Sequence, residues 1–347
     1  MLLCCCRPGN EPLLLAELAL ELPASLHQVA APGLTRTAIG ESDAARAPRL
    51  ASARQCLPQA VPLAAPSVSG LVEAAGAALV ERLAAHEGPW RLHVFAREGG
   101  AVKPGRAALV EAGLGELLKQ KQRRLLRTRS ADASAPFVPG EALVQLLLVE
   151  PGSGALSVAF DAGATTLSGC LCRFPAGAVE VPRDPRPPSR AYQKLLEAEV
   201  RLGRGIERGE LCVDLGASPG GWSFVALERG ALLTAVDRTP LRDDLMLHEG
   251  LTFVRGDAFS WEPPAPVDWL LCDVAAFPER SLALLSRWLE AGWCRRFVVT
   301  VKLQGEQEAP QLAGWKTLLR DRAVRWELRQ LDTNKHEVTA LGEGRDS

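Results

Sequence analysis

The 347-residue chain lacks the cysteine spacings that hold metal. Its nine Cys are an odd number, no Cys-x-x-Cys pair occurs, and Cys170-x-Cys172 is too close for the usual zinc geometry. No metal site is expected. Cys212 and Cys272 sit in apolar runs and read as small buried hydrophobes, as fits a reducing, cytoplasmic setting. No apolar run reaches about 18 residues, so no transmembrane helix is expected. The opening Met1-Leu2-Leu3-Cys4-Cys5-Cys6-Arg7 is too short an apolar stretch for a signal peptide. Large net charge is also missing: the value is −1, so only local patches can argue for nucleic acid. No internal repeat is visible. With 47% hydrophobic and 23% charged residues, the composition is that of a globular protein long enough for two domains.

What is present is concentrated in residues 211–222, Leu-Cys-Val-Asp-Leu-Gly-Ala-Ser-Pro-Gly-Gly-Trp. Leu211 to Leu215 reads as a buried parallel strand, and Gly216, Gly220 and Gly221 follow at once. Glycines there permit a tight turn and close approach of a ligand to the backbone, at the strand end where α/β sheets bind nucleotide-like ligands. A dinucleotide fold wants G-x-G-x-x-G, and position 218 is Ser, so pyrophosphate binding is disfavoured. Asp214-x-Gly216-x-x-x-Gly220-Gly221 instead resembles motif I of class I S-adenosylmethionine (AdoMet) methyltransferases. The string Asp-Leu-Gly-Ala-Ser-Pro-Gly-Gly-Trp is similar to that of the FtsJ-like ribose 2′-O-methyltransferases.

The first half reads as α+β. Strands are expected at 2–6, 90–96, 141–150 and 155–160. Helices are expected at 11–22, 68–87 and 107–126, and 23–60 is expected to be irregular. From Arg97 to Arg129 there are nine Lys or Arg against three Glu. Lys119, Lys121, Arg123, Arg124 and Arg127 would cluster at one end of a helix. They read either as a solvated face or as a phosphate-contacting patch on RNA. No aromatic residue interrupts this stretch, so base stacking is not expected there. Five prolines within 175–188 suggest a stiff linker between a 1–174 region and a 189–347 domain, with Ser189 as N-cap of the following helix.

From residue 211 onward strand and helix alternate, which predicts a doubly wound sheet. The expected strands are 211–215, 231–236, 251–255, 267–272, 296–302, 325–331 and 337–342. The expected helices are 221–229, 240–248, 279–291 and 310–321. Asp237 closes the second strand, where an acid can accept both ribose hydroxyls of AdoMet. Asp257 follows the third and could bond the adenine amino group. Asp273 closes the fourth, and Lys302 closes the fifth. Amino-group methyltransferases typically carry Asn/Asp-Pro-Pro and an aromatic after the fourth strand; here Asp273-Val274-Ala275-Ala276 follows. Cys272 points along the strand and reads as core rather than as a nucleophile. Transfer to a hydroxyl remains.

Lys194, Asp273, Lys302 and Glu337 match in order and context the Lys-Asp-Lys-Glu tetrad of FtsJ-like enzymes. The chain further resembles their RlmM-type branch, the 23S rRNA cytidine methyltransferases. The match includes Cys6-Arg7-Pro8-Gly9, Pro188-Ser189-Arg190, Trp288-Leu289 and Gly292-Trp293-Cys294-Arg295. The resemblance implies a Rossmann-like class I methyltransferase in the C-terminal half. It also implies an N-terminal α+β region with a THUMP domain that binds RNA. Large-subunit rRNA is then the substrate and AdoMet the cofactor, held by Gly216, Ser218, Pro219, Gly220, Gly221, Trp222, Asp237, Asp257 and Asp273. Two departures are Ala191, where members of the branch can have a Ser touching AdoMet, and Ser218, which replaces Cys or Ala.

A ribose hydroxyl is weakly acidic, so the task is alignment and proton removal. Lys302 is assigned as the base. Its charge would have to be suppressed by partial burial and by Lys194 as a neighbouring cation. Asp273 and Glu337 push the other way and so are read as orienting the lysines and the hydroxyl, and a strictly steering Lys302 is the rival reading. Alternatives are methylation of another RNA such as tRNA, of a small molecule or of a protein, and a non-catalytic RNA-binding protein.

Overall fold

The computed structural model describes residues 1–345 except 45, 47, 104, 161–169 and 305–307. The chain forms two compact units, Met1–Ala178 and Val179–Ser347. Their boundary lies inside the stretch expected as a linker over 175–188. Residues beyond it are tied into the second unit. The backbone N–H of Asp184 donates to the Tyr192 hydroxyl at 2.5 Å, which donates in turn to the Pro182 carbonyl at 3.3 Å. Arg186 pairs with Glu228 at 2.8 Å. Prolines remove donors but leave carbonyls and side chains free to anchor the segment.

In the first unit, β1 (Leu2–Cys5), α1 (Glu11–Glu21), β2 (Leu26–Ala31), β3 (Leu34–Ala38) and β4 (Gln55–Leu57) come first. Their strands make an antiparallel sheet in the order β2-β3-β1-β4, against which Leu14 and Leu18 of α1 pack. Three of these strands lie in the stretch expected to be irregular. The alternation was hidden because β3 turns Thr35 and Thr37 inward, β2 exposes most of its residues, and β4 has three residues. Pro32-Gly33, the hairpin turn, was the available signal.

Then follow β5 (Val61–Ala64), α2 (Val68–Arg82), β6 (Trp90–Ala96), α3 (Arg106–Lys121), α4 (Arg123–Thr128), β7 (Ala142–Glu150) and β8 (Ser153–Phe160). This sheet runs β5-β8-β7-β6, with β6 and β7 parallel. The helix expected over 107–126 is broken at Gln122 (φ −145°, ψ 57°). The break buries Leu125, whose carbonyl accepts the Trp90 indole N–H at 2.8 Å. Helix α2 stops at Arg82, short of the expected 87. Arg124 donates to the carbonyls of Leu83, Ala84 and His86 beyond its end.

The second unit contains α5 (Tyr192–Leu202), β9 (Leu211–Leu215), α6 (Gly221–Glu228), β10 (Leu232–Asp237), α7 (Asp243–Met246), β11 (Leu251–Arg255), β12 (Val267–Cys272), α8 (Pro278–Glu290), β13 (Cys294–Lys302), α9 (Glu308–Arg322), β14 (Ala323–Arg329) and β15 (Glu337–Gly344). The seven-stranded sheet runs β11-β10-β9-β12-β13-β15-β14. Strands β9 to β13 are parallel, and β15 is antiparallel to β13 and β14. This is the doubly wound sheet expected from the alternation of strand and helix, with its order reversing between β9 and β12. Parallel β9 to β13 all end at one edge, and antiparallel β15 begins there. Cys212 and Cys272 are buried in β9 and β12. The residues 240–248 expected as one helix contain only the short α7. Ser189 is not the N-cap: α5 starts after Ala191, with no side-chain cap bond. Trp288 and Trp293, part of the family resemblance, pack edge to face at 5.8 Å near the start of β13. That is the opposite sheet edge, so they build scaffold. Among the described residues no helix is long and apolar enough to cross a membrane.

Candidate active site

Helix α5 has an unusual inward face. Lys194, Glu197 and Arg201 are all buried, at i, i+3 and i+7. Arg201 and Glu197 pair at 2.7 Å, so the C-terminal part of this stripe is satisfied within the helix. Lys194 has its partners elsewhere. Its Nζ lies 3.1 and 3.0 Å from the Asp273 carboxylate oxygens and 2.5 Å from Glu337 Oε1.

The other members come from the sheet. Lys302 and Glu337 are cross-strand neighbours, the last residue of β13 facing the first of β15. Lys302 Nζ donates to Glu337 Oε2 and, at 3.0 Å, to Asp273 Oδ1. The four groups thus close a ring of alternating charge in which each lysine touches both carboxylates. Side-chain exposure is 8% for Lys194 and Glu337, 17% for Asp273 and 22% for Lys302, so Lys302 is the ring member most open to a ligand. Deleting one member of such a set leaves an unbalanced charge in a largely buried site, which typically costs about 3–5 kcal/mol.

Ring electrostatics correct one expectation. Burial pulls Lys302 down, but Asp273 and Glu337 outweigh it and hold the ammonium above the ordinary lysine value. The suppression of its charge expected from Lys194 is therefore not the net effect in the free site. Burial pushes Glu337 up, but hydrogen bonds from Lys194 and Lys302 bring it down to about 2. A carboxylate with a lowered pKa stabilises the fold above its unfolded value, near 4.5. That contribution, on the order of 3 kcal/mol, is lost as pH falls toward 2.

Asn334, which the sequence reading missed, fixes Glu337. It is 1% exposed, and its Nδ2 donates to Glu337 Oε1 at 3.0 Å. Its Oδ1 accepts the Leu331 N–H at 2.6 Å, which fixes which end of the amide faces the carboxylate. Asp214, named only as part of the glycine pattern, was also missed as a titrating group. Burial pushes it up to about 7, with Asp273 and Asp237 adding to the rise against a 2.7 Å bond from Ser223.

The glycine loop leaves β9 at the same edge. Gly216 has φ +73° and Gly220 φ +109°, conformations that side chains avoid. A Cβ at Gly216 would also strike Val274, next to Asp273. Asp237 anchors the loop: Oδ2 accepts from Ser218 N at 3.0 Å and Oδ1 from Thr239 N at 2.8 Å. Each oxygen keeps a lone pair for a further donor. Asp257 is 37% exposed at the end of β11 and 3.5 Å from Arg238. The Pro219 carbonyl accepts from Arg242 N, and Gly221 opens α6. Trp222 does not line this cradle with a polar group. It is 3% exposed in the core, and its indole N–H donates to Ala191 O at 2.6 Å. The bare glycine backbone beside two strand-end carboxylates fits an adenosine-bearing ligand.

In the first unit, the basic residues separate by role. Lys119 and Lys121 pair with Glu116 and Glu73 at 3.7 and 3.3 Å, all of them exposed. Arg124 is committed to the end of α2. Arg123 and Arg127 are exposed, with no acidic partner among the described residues.

Residues 187–336 match the model of the FtsJ-like methyltransferase family. Ribosomal RNA large subunit methyltransferase M of Azoarcus sp. (strain BH72) is 33% identical over 211 residues, 56% of this chain and 58% of that protein. Its counterpart in Thauera aminoaromatica is 35% identical over 179 residues, 48% and 49% of the two chains. The one in Xylella fastidiosa (strain 9a5c) is 39% identical over 125 residues, 34% and 36%. The chain spans about half the length of the curated relatives it matches.

Proposed function

We propose that the chain, whose residues 187–336 match the model of the FtsJ-like methyltransferase family, methylates a ribose 2′-hydroxyl of RNA with AdoMet as donor. The names of the relatives favour large-subunit rRNA, and the resemblance to the RlmM-type branch favours a cytidine within it. The observation that carries this reading is the closed Lys194–Asp273–Lys302–Glu337 ring at the sheet edge where the glycine loop ends.

Gly216 to Gly221, Asp237 and Asp257 hold the cofactor, Asp237 through its remaining lone pairs. AdoMet supplies an electrophilic methyl group on a sulfonium sulfur, and transfer leaves a neutral thioether. Lys302 Nζ receives the hydroxyl proton as the ribose oxygen forms its new bond to carbon. To accept it, Nζ must first release to solvent, on which it opens, a proton that Asp273 and Glu337 hold in place. Lys194 compensates the two carboxylates, so they remain paired while Lys302 changes charge. The raised pKa favours a second role for Lys302, a fixed cation that aligns the hydroxyl. In the first unit, Arg123 and Arg127 contact RNA phosphates.

The experiment is incubation of the protein with methyl-labelled AdoMet and unmodified large-subunit rRNA, followed by digestion to nucleosides. Label in 2′-O-methylcytidine is expected. Label on a base, or none in RNA, overturns the proposal.

A further inference from the structure

Among the described residues two aromatics are strongly exposed, Phe160 at 40% and Phe277 at 62%. Phe160 packs against the His86 ring at 5.4 Å. Phe277 has no ring partner among the described residues. It occupies the N-cap of α8, where Ser, Thr, Asp or Asn would accept a free backbone N–H, and the helix has no side-chain cap bond. Both water and helix capping argue against Phe at this position. Breaches of local rules without a structural gain mark functional positions.

The location gives the reason. The loop that ends at Phe277 begins at Asp273 of the ring, and its Val274 packs at Gly216. Gln311 of α9 donates to Glu279 at 3.1 Å and to the Gln304 carbonyl at 3.3 Å. The start of α8 is thereby fastened to the chain leaving Lys302. Arg280, three residues on and so a neighbour on the helix surface, lays its guanidinium over the Phe259 ring at 4.0 Å. Phe259 follows Asp257 by two residues. An exposed apolar ring and a stacked cation therefore stand three residues apart at the start of α8, where the loop that leaves Asp273 ends.

We propose that Phe277 is a stacking platform for a nucleobase of the RNA strand presented to Lys302, with Arg280 taking the adjoining phosphate. This rests on the RNA methylation reading. Every base has a π-face, so the ring positions the strand without choosing its sequence. The family tetrad supplies no such contact.

The test compares Phe277→Ser, Phe277→Leu and Phe277→Trp on an unmodified 23S rRNA transcript. Loss of one stacked base should lower kcat/KM for RNA in the Ser and Leu variants by roughly five- to hundredfold, through KM. The Trp variant should keep the parent value. AdoMet affinity should stay constant, and Phe277→Ser should melt no lower than the parent because it gains a cap. If the Ser variant methylates like the parent, or Leu restores activity as well as Trp, the stacking role is overturned while RNA methylation stands. If the parent places no methyl group on RNA ribose, both readings fall.

Discussion

Lysine is used in two opposite ways in this chain. Lys194 and Lys302 are 8% and 22% exposed, and each lies between two carboxylates. Lys119 and Lys121 are 66% and 60% exposed, each beside one glutamate. Exposed pairs of the second kind contribute about 0–1 kcal/mol and yield to salt. Pairs of the first kind are shielded from solvent and hold fixed geometry. Burial, rather than the count of charges, separates the group proposed to react from the surface proposed to steer RNA. The basic stretch of the first unit has more cations than the ring, yet Lys119 and Lys121 each meet one glutamate on an exposed surface.

The largest expected effect breaks the buried side of this contrast. Lys302→Ala should slow single-turnover methyl transfer by at least about 10²–10⁴-fold while leaving AdoMet affinity intact. An equal loss of AdoMet binding would mean that the residue holds the cleft together instead. Next in size is Asp237→Ala, which removes both the proposed acceptor for the cofactor and the anchor of the glycine loop. Calorimetry should show AdoMet affinity weaker by roughly 1–3 kcal/mol; unchanged affinity would remove Asp237 from the cofactor site. The smallest effect lies on the exposed side. Changing Arg123 and Arg127 to Ala should reduce the slope of log affinity against log salt for RNA by about two phosphate contacts. Arg124 is left in place because it caps α2. A constant slope would make the patch a solvated helix face.

The sequence carried the site better than it carried the first unit, for physical reasons. Parallel strands buried on both faces are continuous apolar runs, so Asp237, Asp273 and Lys302 stand out where the runs stop. Asp257 follows its strand by two residues and was legible from the same pattern. Glu337 was reached through the family's residue order. Its place beside Lys302 depends on β15 being antiparallel, which no local pattern states. Strand β3 was invisible because its inward residues include two threonines. Asn334 is distinguished by its contacts and Phe277 by its exposure, which sequence does not display. The direction of the Lys302 shift depended on two carboxylates outweighing burial, a balance fixed only by the distances of the ring.

The pH dependence of single-turnover methyl transfer, at saturating AdoMet and RNA, tests the central claim most directly. Asp273 and Glu337 hold Lys302 above its ordinary pKa, so only a small fraction is free to act as a base near neutrality. The rate should climb about tenfold per pH unit between about pH 7 and 9. Lys302→Arg, whose guanidinium stays protonated, should remain as slow as Lys302→Ala throughout. A flat profile, or an Arg variant within about tenfold of the parent, would contradict proton removal by Lys302 and leave it as a positioning cation.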